Sequence, residues 1–203
     1  YWGPLVAGAT RSFMPQNDRH RQFWTNTYPT VALFPMAALV REARAQLYAP
    51  YARGERDPYL LAAIGLHERE HGDAAKARKF LEAAFSAKAK RPEACLELAR
   101  LRSAEALANA GPEGRLTSGQ TAGIIAPLAF AHGKTPLLPA IYDLAGDTWA
   151  LSAADPGKDD AKMMVEGAQL FPTRLKLIFQ ASVMARDTGD LRSAHALADH
   201  GVK

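Results

Sequence analysis

The residues best placed by type and spacing to do chemistry are His67-Glu68-Arg69-Glu70-His71. Two histidines four apart share one face of a helix, where their imidazoles can hold a zinc ion. A glutamate beside the first can then act as general base toward a metal-bound water. Three features argue against that use. The positions between the histidines are charged Arg69 and Glu70, whereas a helix that carries such a site is mostly uncharged and buried. The longer form of the motif wants Gly and His where this chain has Ala74 and Ala77, which leaves Glu82, Glu93 and Glu97 as conceivable third ligands. Finally, Arg69-Glu70-His71-Gly72-Asp73 through Ala77 recurs as Arg186-Asp187-Thr188-Gly189-Asp190 through Ala194, and the same offset puts Met184, Ala185 and Thr188 where His67, Glu68 and His71 stand. A position that works equally well with Met, Ala and Thr needs no metal.

The expectation is therefore no metal, with a zinc metallopeptidase-type site at His67-Glu68-x-x-His71 as the alternative. Other chemistry has less to stand on. Gly133-Lys134-Thr135 has the end of a phosphate-binding loop, but Leu128 occupies the place of its first glycine and a helical pattern precedes it where a strand is needed. Cys95 is the single cysteine, so no intrachain disulfide and no thiolate cluster can form. No G-x-S-x-G or C-x-x-C occurs, nucleophilic and redox catalysis have no anchor, and no cofactor is expected.

The elements that position these residues are helices. Asp57 is a helix cap with Pro58 in the first turn, where a missing N–H costs nothing. Leu61, Ile64, Gly65 and Glu68 follow at helical spacing. Gly72-Asp73 reads as a left-handed stop and a fresh cap, as does Gly189-Asp190. Ala77, Leu81, Ala84 and Phe85 mark the inner face of the next helix. This stretch resembles one repeat of the tetratricopeptide family: Leu61 stands for its Trp, Ile64-Gly65 for its Leu-Gly, and Ala77 and Leu81 for its Ala and aromatic. Glu68 replaces the Tyr, and Pro92 arrives a few residues late. The resemblance implies an all-α fold, with a helical repeat domain over 30–203 that forms a right-handed α-α superhelix of about four helix-turn-helix repeats near 57–91, 92–134, 135–171 and 172–203, following an irregular extension over 1–29.

Composition agrees with helices. Of 203 residues 48% are hydrophobic and only 8% aromatic, which favours close packing through small faces. Residues 1–56 hold seven arginines against three acids, while 57–203 carry eighteen charges of each sign, so the net +4 is scattered arginine in one segment rather than a basic stripe. Nucleic-acid binding is not expected. The longest apolar run, Ala122 to Ala131, falls far short of the roughly 20 residues that span a bilayer, so no membrane span is expected.

Along the chain, Asn17-Asp18 opens a possible short helix to Trp24, and Trp2, Phe13, Phe23, Trp24 and Tyr28 are available to cover the first helix. Thr30 is expected to cap a solitary helix to about Tyr48, with Pro35 near its start and a linker from Pro50 to Arg56. Arg91-Pro92 opens a long helix to about Asn109 with Cys95, Leu98 and Ala99 inward. Ser118 caps its partner, for which Ala122, Ala126, Ala129 and Phe130 are the expected inner face. Thr135-Pro136 starts the third pair, with Ile141, Leu144 and Ala145 inward and Ala161, Val165 and Ala168 on its second helix. Ile178, Ala181, Ser182 and Ala194 mark the fourth. The start at Tyr1-Trp2-Gly3 reads as a piece of something longer, which leaves a regulatory or spacer domain beside a catalytic module as a further alternative.

What remains is surface. The resemblance implies that the first helix of each pair lines a concave face, with groove residues Tyr59, Leu66 and Arg69, then Glu93 and Arg100, then Tyr142 and Trp149, then Phe179, Val183 and Arg186. Aromatic residues beside arginine are the usual anchors of protein and peptide interfaces. Ala62 and Leu66 stand where some relatives carry the Lys/Asn clamp for an acidic chaperone tail, so that partner is not expected. The functional expectation is a non-catalytic scaffold that binds a protein or peptide, with a neighbouring domain or second copy possible at its open ends.

Overall fold

The structure, a computed structural model, describes residues 10–12, 27–29, 33–110 and 114–201. Its class is all-α, and the chain divides into two compact units, 1–55 and 56–203.

In the first unit, β1 (Thr10–Ser12) pairs antiparallel with β2 (Thr27–Pro29), Arg11 opposite Tyr28. A stretch read as irregular thus holds a short ladder. The helix expected from Asn17 to Trp24, the cap at Thr30 and the packing of Trp2, Phe13, Phe23, Trp24 and Tyr28 lie outside the described residues and side chains. Helix α1 (Leu33–Ala52) runs through Pro50, so the expected linker starts later than the proline suggested. Pro50 lacks an N–H but its carbonyl still accepts from Arg53 and Glu55, which closes the last turn around it.

The second unit contains α2 (Pro58–His71), α3 (Ala74–Ser86), α4 (Pro92–Ala108), α5 (Ser118–Ala131), α6 (Pro139–Leu151), α7 (Lys158–Leu170), α8 (Leu175–Asp187) and α9 (Leu191–Gly201). Each helix packs on the next, and α2, α4, α6 and α8 also pack in sequence on one another. Asp57 caps α2, its carboxylate accepting from the N–H groups of Tyr59 and Leu60 at 2.9 and 3.0 Å. Asp73 does the same for α3 through Lys76 N–H, and Asp190 for α9 through Ser193 N–H. These bonds satisfy donors that the helix itself leaves unpaired.

The close approach of α2 and α3 is set by Gly65. A Cβ there would lie 2.8 Å from two side-chain carbons of Leu81 and 3.1 Å from its backbone nitrogen. Leu61, Ile64, Ala77, Leu81 and Ala84 are buried as expected, and Phe80 joins them. One core then runs from Cys95 through α5, α6 and α7 to Leu197.

Four local expectations need correction. Gly189 has the left-handed φ of +88°, but Gly72 sits at φ −135° and ψ −132°. Glycine at 72 instead leaves room for Glu68, whose Oε2 folds back to accept the Asp73 N–H at 3.2 Å and would lie 2.2 Å from a Cβ there. The cap of α5 is Thr117 rather than Ser118, in a reciprocal box with Gln120. The inner face of α5 is Thr121, Ile124, Ile125, Leu128 and Ala131, while Ala122, Ala126 and Ala129 face solvent and Phe130 is half-buried. Matching alanines to alanines misplaced the face by one residue; the isoleucines and leucine bury more apolar area and decide the rotation. Helix α6 begins at Pro139 rather than at Thr135.

Candidate functional site

The outward surface of α2, α4, α6 and α8 is where the sequence placed its groove. Tyr59 (53% exposed) and Phe179 (68%) do present aromatic surface there. Arg69 and Arg100 are exposed and converge on Glu97, Arg69 Nε at 3.3 Å from one carboxylate oxygen and Arg100 bonded to the other. Glu97 on α4 thus joins Arg100 of its own helix to Arg69 of α2. Arg186 is exposed and paired with Asp187 at 2.8 Å. Leu66, Glu93 and Val183 are half-buried.

Tyr142 does not belong to this surface. It is 1% exposed, its ring tilted against Phe171 and edge-on to His132, and Gly167 leaves the space that the ring fills. Its hydroxyl lies 3.1 Å from His132 Nδ1, whose Nε2 is 2.8 Å from Glu166. Burial raises the phenol above its ordinary value. The large ring takes the inner position beside Ile141 and ties α5, α6 and α7 together.

Trp149 is half-buried and lines a cavity of about 240 Å³ between α6 and α8, together with Arg115, Asp155, Phe179, Gln180 and Val183. The segment after α4 builds part of its wall. Leu116 bridges to the end of α6, its N–H donating to Leu151 O at 2.9 Å and its carbonyl accepting from Ala153 at 2.8 Å. Arg115 donates to Ser152 O, and buried Thr121 bonds Ser152 Oγ at 3.0 Å. The enlarged loop of the second pair is therefore a part of the third pair's surface.

Among the described residues, two buried side-chain atoms lack a hydrogen-bond partner: Trp149 Nε1 and Gln180 Oε1. Both residues line this cavity. Gln180 Nε2 donates to Asp147 at 2.9 Å, and a carboxylate only accepts, so the amide orientation is fixed with its oxygen away from Asp147. That oxygen rests against Gly146, where a Cβ would approach it to 2.2 Å. An unpaired donor on α6 and an unpaired acceptor on α8 are uncommon, because buried polar groups nearly always find partners.

No protein-family model and no curated protein matches this chain.

At the zinc motif, the rings of His67 and His71 lie 5.2 Å apart, and His71 is 3.6 Å from Glu70. Glu68 is turned inward, 1% exposed, with its carboxylate bound to the Asp73 N–H. Among the described residues no group of three His, Cys, Asp or Glu side chains is placed to hold a metal ion. No described helix is long and apolar enough to cross a membrane. Trp149 and Phe179, named from the sequence, line the α6/α8 cavity; Arg115, Ser152 and Gln180, not named from the sequence, line it too. The long interruption between α4 and α5 was the signal for Arg115.

Proposed function

We propose that residues 56–203 form a right-handed α-α solenoid of four tetratricopeptide-like pairs, α2/α3, α4/α5, α6/α7 and α8/α9, that binds a protein or peptide without catalysis. The packing of each helix on its successor, with α2, α4, α6 and α8 also in mutual contact, supports the stacking. Such stacks create extended surfaces from their first helices. The observation that carries the binding reading is the α6/α8 cavity, where the Trp149 N–H and the Gln180 carbonyl lack partners beside exposed Phe179. A peptide group offers the complement, a carbonyl that accepts and an N–H that donates. Both atoms are buried, so a peptide reaches them only if the Trp149 indole and the Gln180 amide turn outward on binding. The aromatic faces of Trp149 and Phe179 supply apolar area, while Arg115 and Asp155 fix polarity at the rim.

The test is selection of ligands from a random peptide library on the intact chain, followed by photo-crosslinking of the selected peptides. Crosslinks to α6, α8 and the 114–116 segment are expected. Crosslinks confined to α3, α5 and α7 would overturn the assignment of the surface.

A further inference from the structure

Three charged side chains line the α6/α8 cavity: Arg115, Asp155 and Asp187. Two of them already have partners. Arg115 donates to Ser152 O at 2.6 Å, so its cation sits at the carbonyl end of α6, where the helix dipole is negative. Asp187 is bonded through one carboxylate oxygen to Arg186, at 2.8 and 2.9 Å from two guanidinium nitrogens. Asp155 is exposed, and among the described residues it has no hydrogen-bond or ion-pair partner. The charge left open at this cavity is therefore a carboxylate.

The rest of the wall favours a cation as well. Helix α6 lines the cavity into its last turn at Ala150, and α8 lines it as far as its last residue, Asp187, so the negative dipole ends of both helices lie here. Trp149 and Phe179 bring aromatic rings, and an indole is the strongest cation–π partner among the side chains. Gln180 Oε1 adds an acceptor without a donor. The one donor left over, the Trp149 N–H, suits a carbonyl of a bound main chain. Of the side chains that a peptide can offer, arginine answers this set best. Its guanidinium carries five N–H donors and no acceptor, its plane stacks on aromatic faces, and it sheds water more readily than an ammonium does.

We propose that the α6/α8 cavity selects an arginine side chain, so that the peptides this surface takes up are those that present arginine. The inference rests on the peptide-binding reading above and adds the class of ligand. Asp155 pairs with the guanidinium at the rim, the rings of Trp149 and Phe179 hold its plane, and the Gln180 oxygen accepts from it once the amide has turned outward.

The probes are a peptide selected from a random library on the intact chain, a copy with its arginine replaced by citrulline, which keeps the shape and removes the charge, and a copy with lysine in its place. Each is titrated against the parent, Asp155→Asn and Asp159→Asn; Asp159 is an exposed acid in the first turn of α7 that does not line the cavity. Selected peptides are expected to share an arginine. On the parent, citrulline is expected to weaken binding about tenfold or more, the loss of a charge-assisted hydrogen bond, with lysine in between. On Asp155→Asn the gap between arginine and citrulline is expected to shrink, and on Asp159→Asn to stay as in the parent. Circular dichroism matching the parent shows that both variants fold. Selected peptides that crosslink to α6 and α8 but lack arginine, or whose citrulline or lysine copies bind as tightly, would overturn this inference and leave the binding reading standing. An arginine–citrulline gap that Asp155→Asn leaves unchanged would overturn the assignment of the cation to this cavity. A library that yields no binder overturns the binding reading and this inference with it.

Discussion

Replacing Gly65 and Gly123 by alanine in separate variants isolates the packing that brings α2 against α3. Both glycines lie inside helices, and Gly→Ala in a helix gains up to about 1 kcal/mol from propensity. At Gly123 a Cβ meets nothing within 4 Å, so that gain is all that is expected. At Gly65 the new methyl meets Leu81 Cγ and Cδ2 at 2.8 Å and its backbone nitrogen at 3.1 Å. The side-chain carbons belong to a residue only 1% exposed, and the nitrogen moves only if α3 moves. Overpacking of this kind costs about 1–3 kcal/mol. Because the propensity gain is common to both sites, the difference between the variants reads the packing cost alone: Gly65→Ala should be about 1–3 kcal/mol less stable than Gly123→Ala. Urea unfolding followed by circular dichroism measures it, with an unchanged m-value as the check that the unfolded state is common. Equal midpoints for the two variants would refute the reasoning and mean that α2 and α3 do not touch at Gly65.

Thr117→Ala removes the cap of α5 and should cost about 1 kcal/mol in the same unfolding assay, whereas Ser118→Ala should leave the midpoint unchanged. The Lys76 N–H bond holds the Asp73 carboxyl below its ordinary value of 3.8, and bonds from Ser193 do the same for Asp190. Folded values below the unfolded ones mean that this stabilisation is full above the unfolded value and lost as pH falls through the depressed one, so Asp73→Asn with Asp190→Asn should flatten the acid limb of the stability curve. Burial raises the Cys95 thiol, so native protein should react with iodoacetamide far more slowly than urea-unfolded protein; equal rates would contradict its burial. Elemental analysis of purified protein should find no stoichiometric zinc, and a bound equivalent lost in the His67→Ala, His71→Ala double variant would make metal-dependent hydrolysis the leading reading.

Much of the helical framework was legible because its signals are local. Asp57-Pro58, Asp73 and Gly189-Asp190 fix helix ends through bonds made within a few residues. Rotation about a helix axis was less legible. In α5 an alanine register and an isoleucine register differ by one residue, and only the neighbouring helices choose between them. Tyr142 failed for a related reason. Aromatic character marks both cores and interfaces, and the space left by Gly167 on α7 drew this ring inward. The cavity beside Trp149 was the least legible, since Arg115, Ser152 and Gln180 meet only through contacts that span 31 to 37 positions of sequence. Nothing local marks Gln180 as different from any other helical glutamine.

The most direct test of the binding account is a titration of one selected peptide against the parent, Trp149→Ala, Arg186→Ala and Lys79→Ala by isothermal calorimetry. Trp149 on α6 walls the cavity, Arg186 is an exposed cation on α8, and Lys79 is exposed on α3. Truncating a true anchor costs at least about 2 kcal/mol, equivalent to about 30-fold in Kd. The account predicts that loss for Trp149→Ala, a measurable weakening for Arg186→Ala, and parent affinity for Lys79→Ala. Parent affinity in both Trp149→Ala and Arg186→Ala, with weakened binding in Lys79→Ala, would contradict it and place recognition on the opposite face.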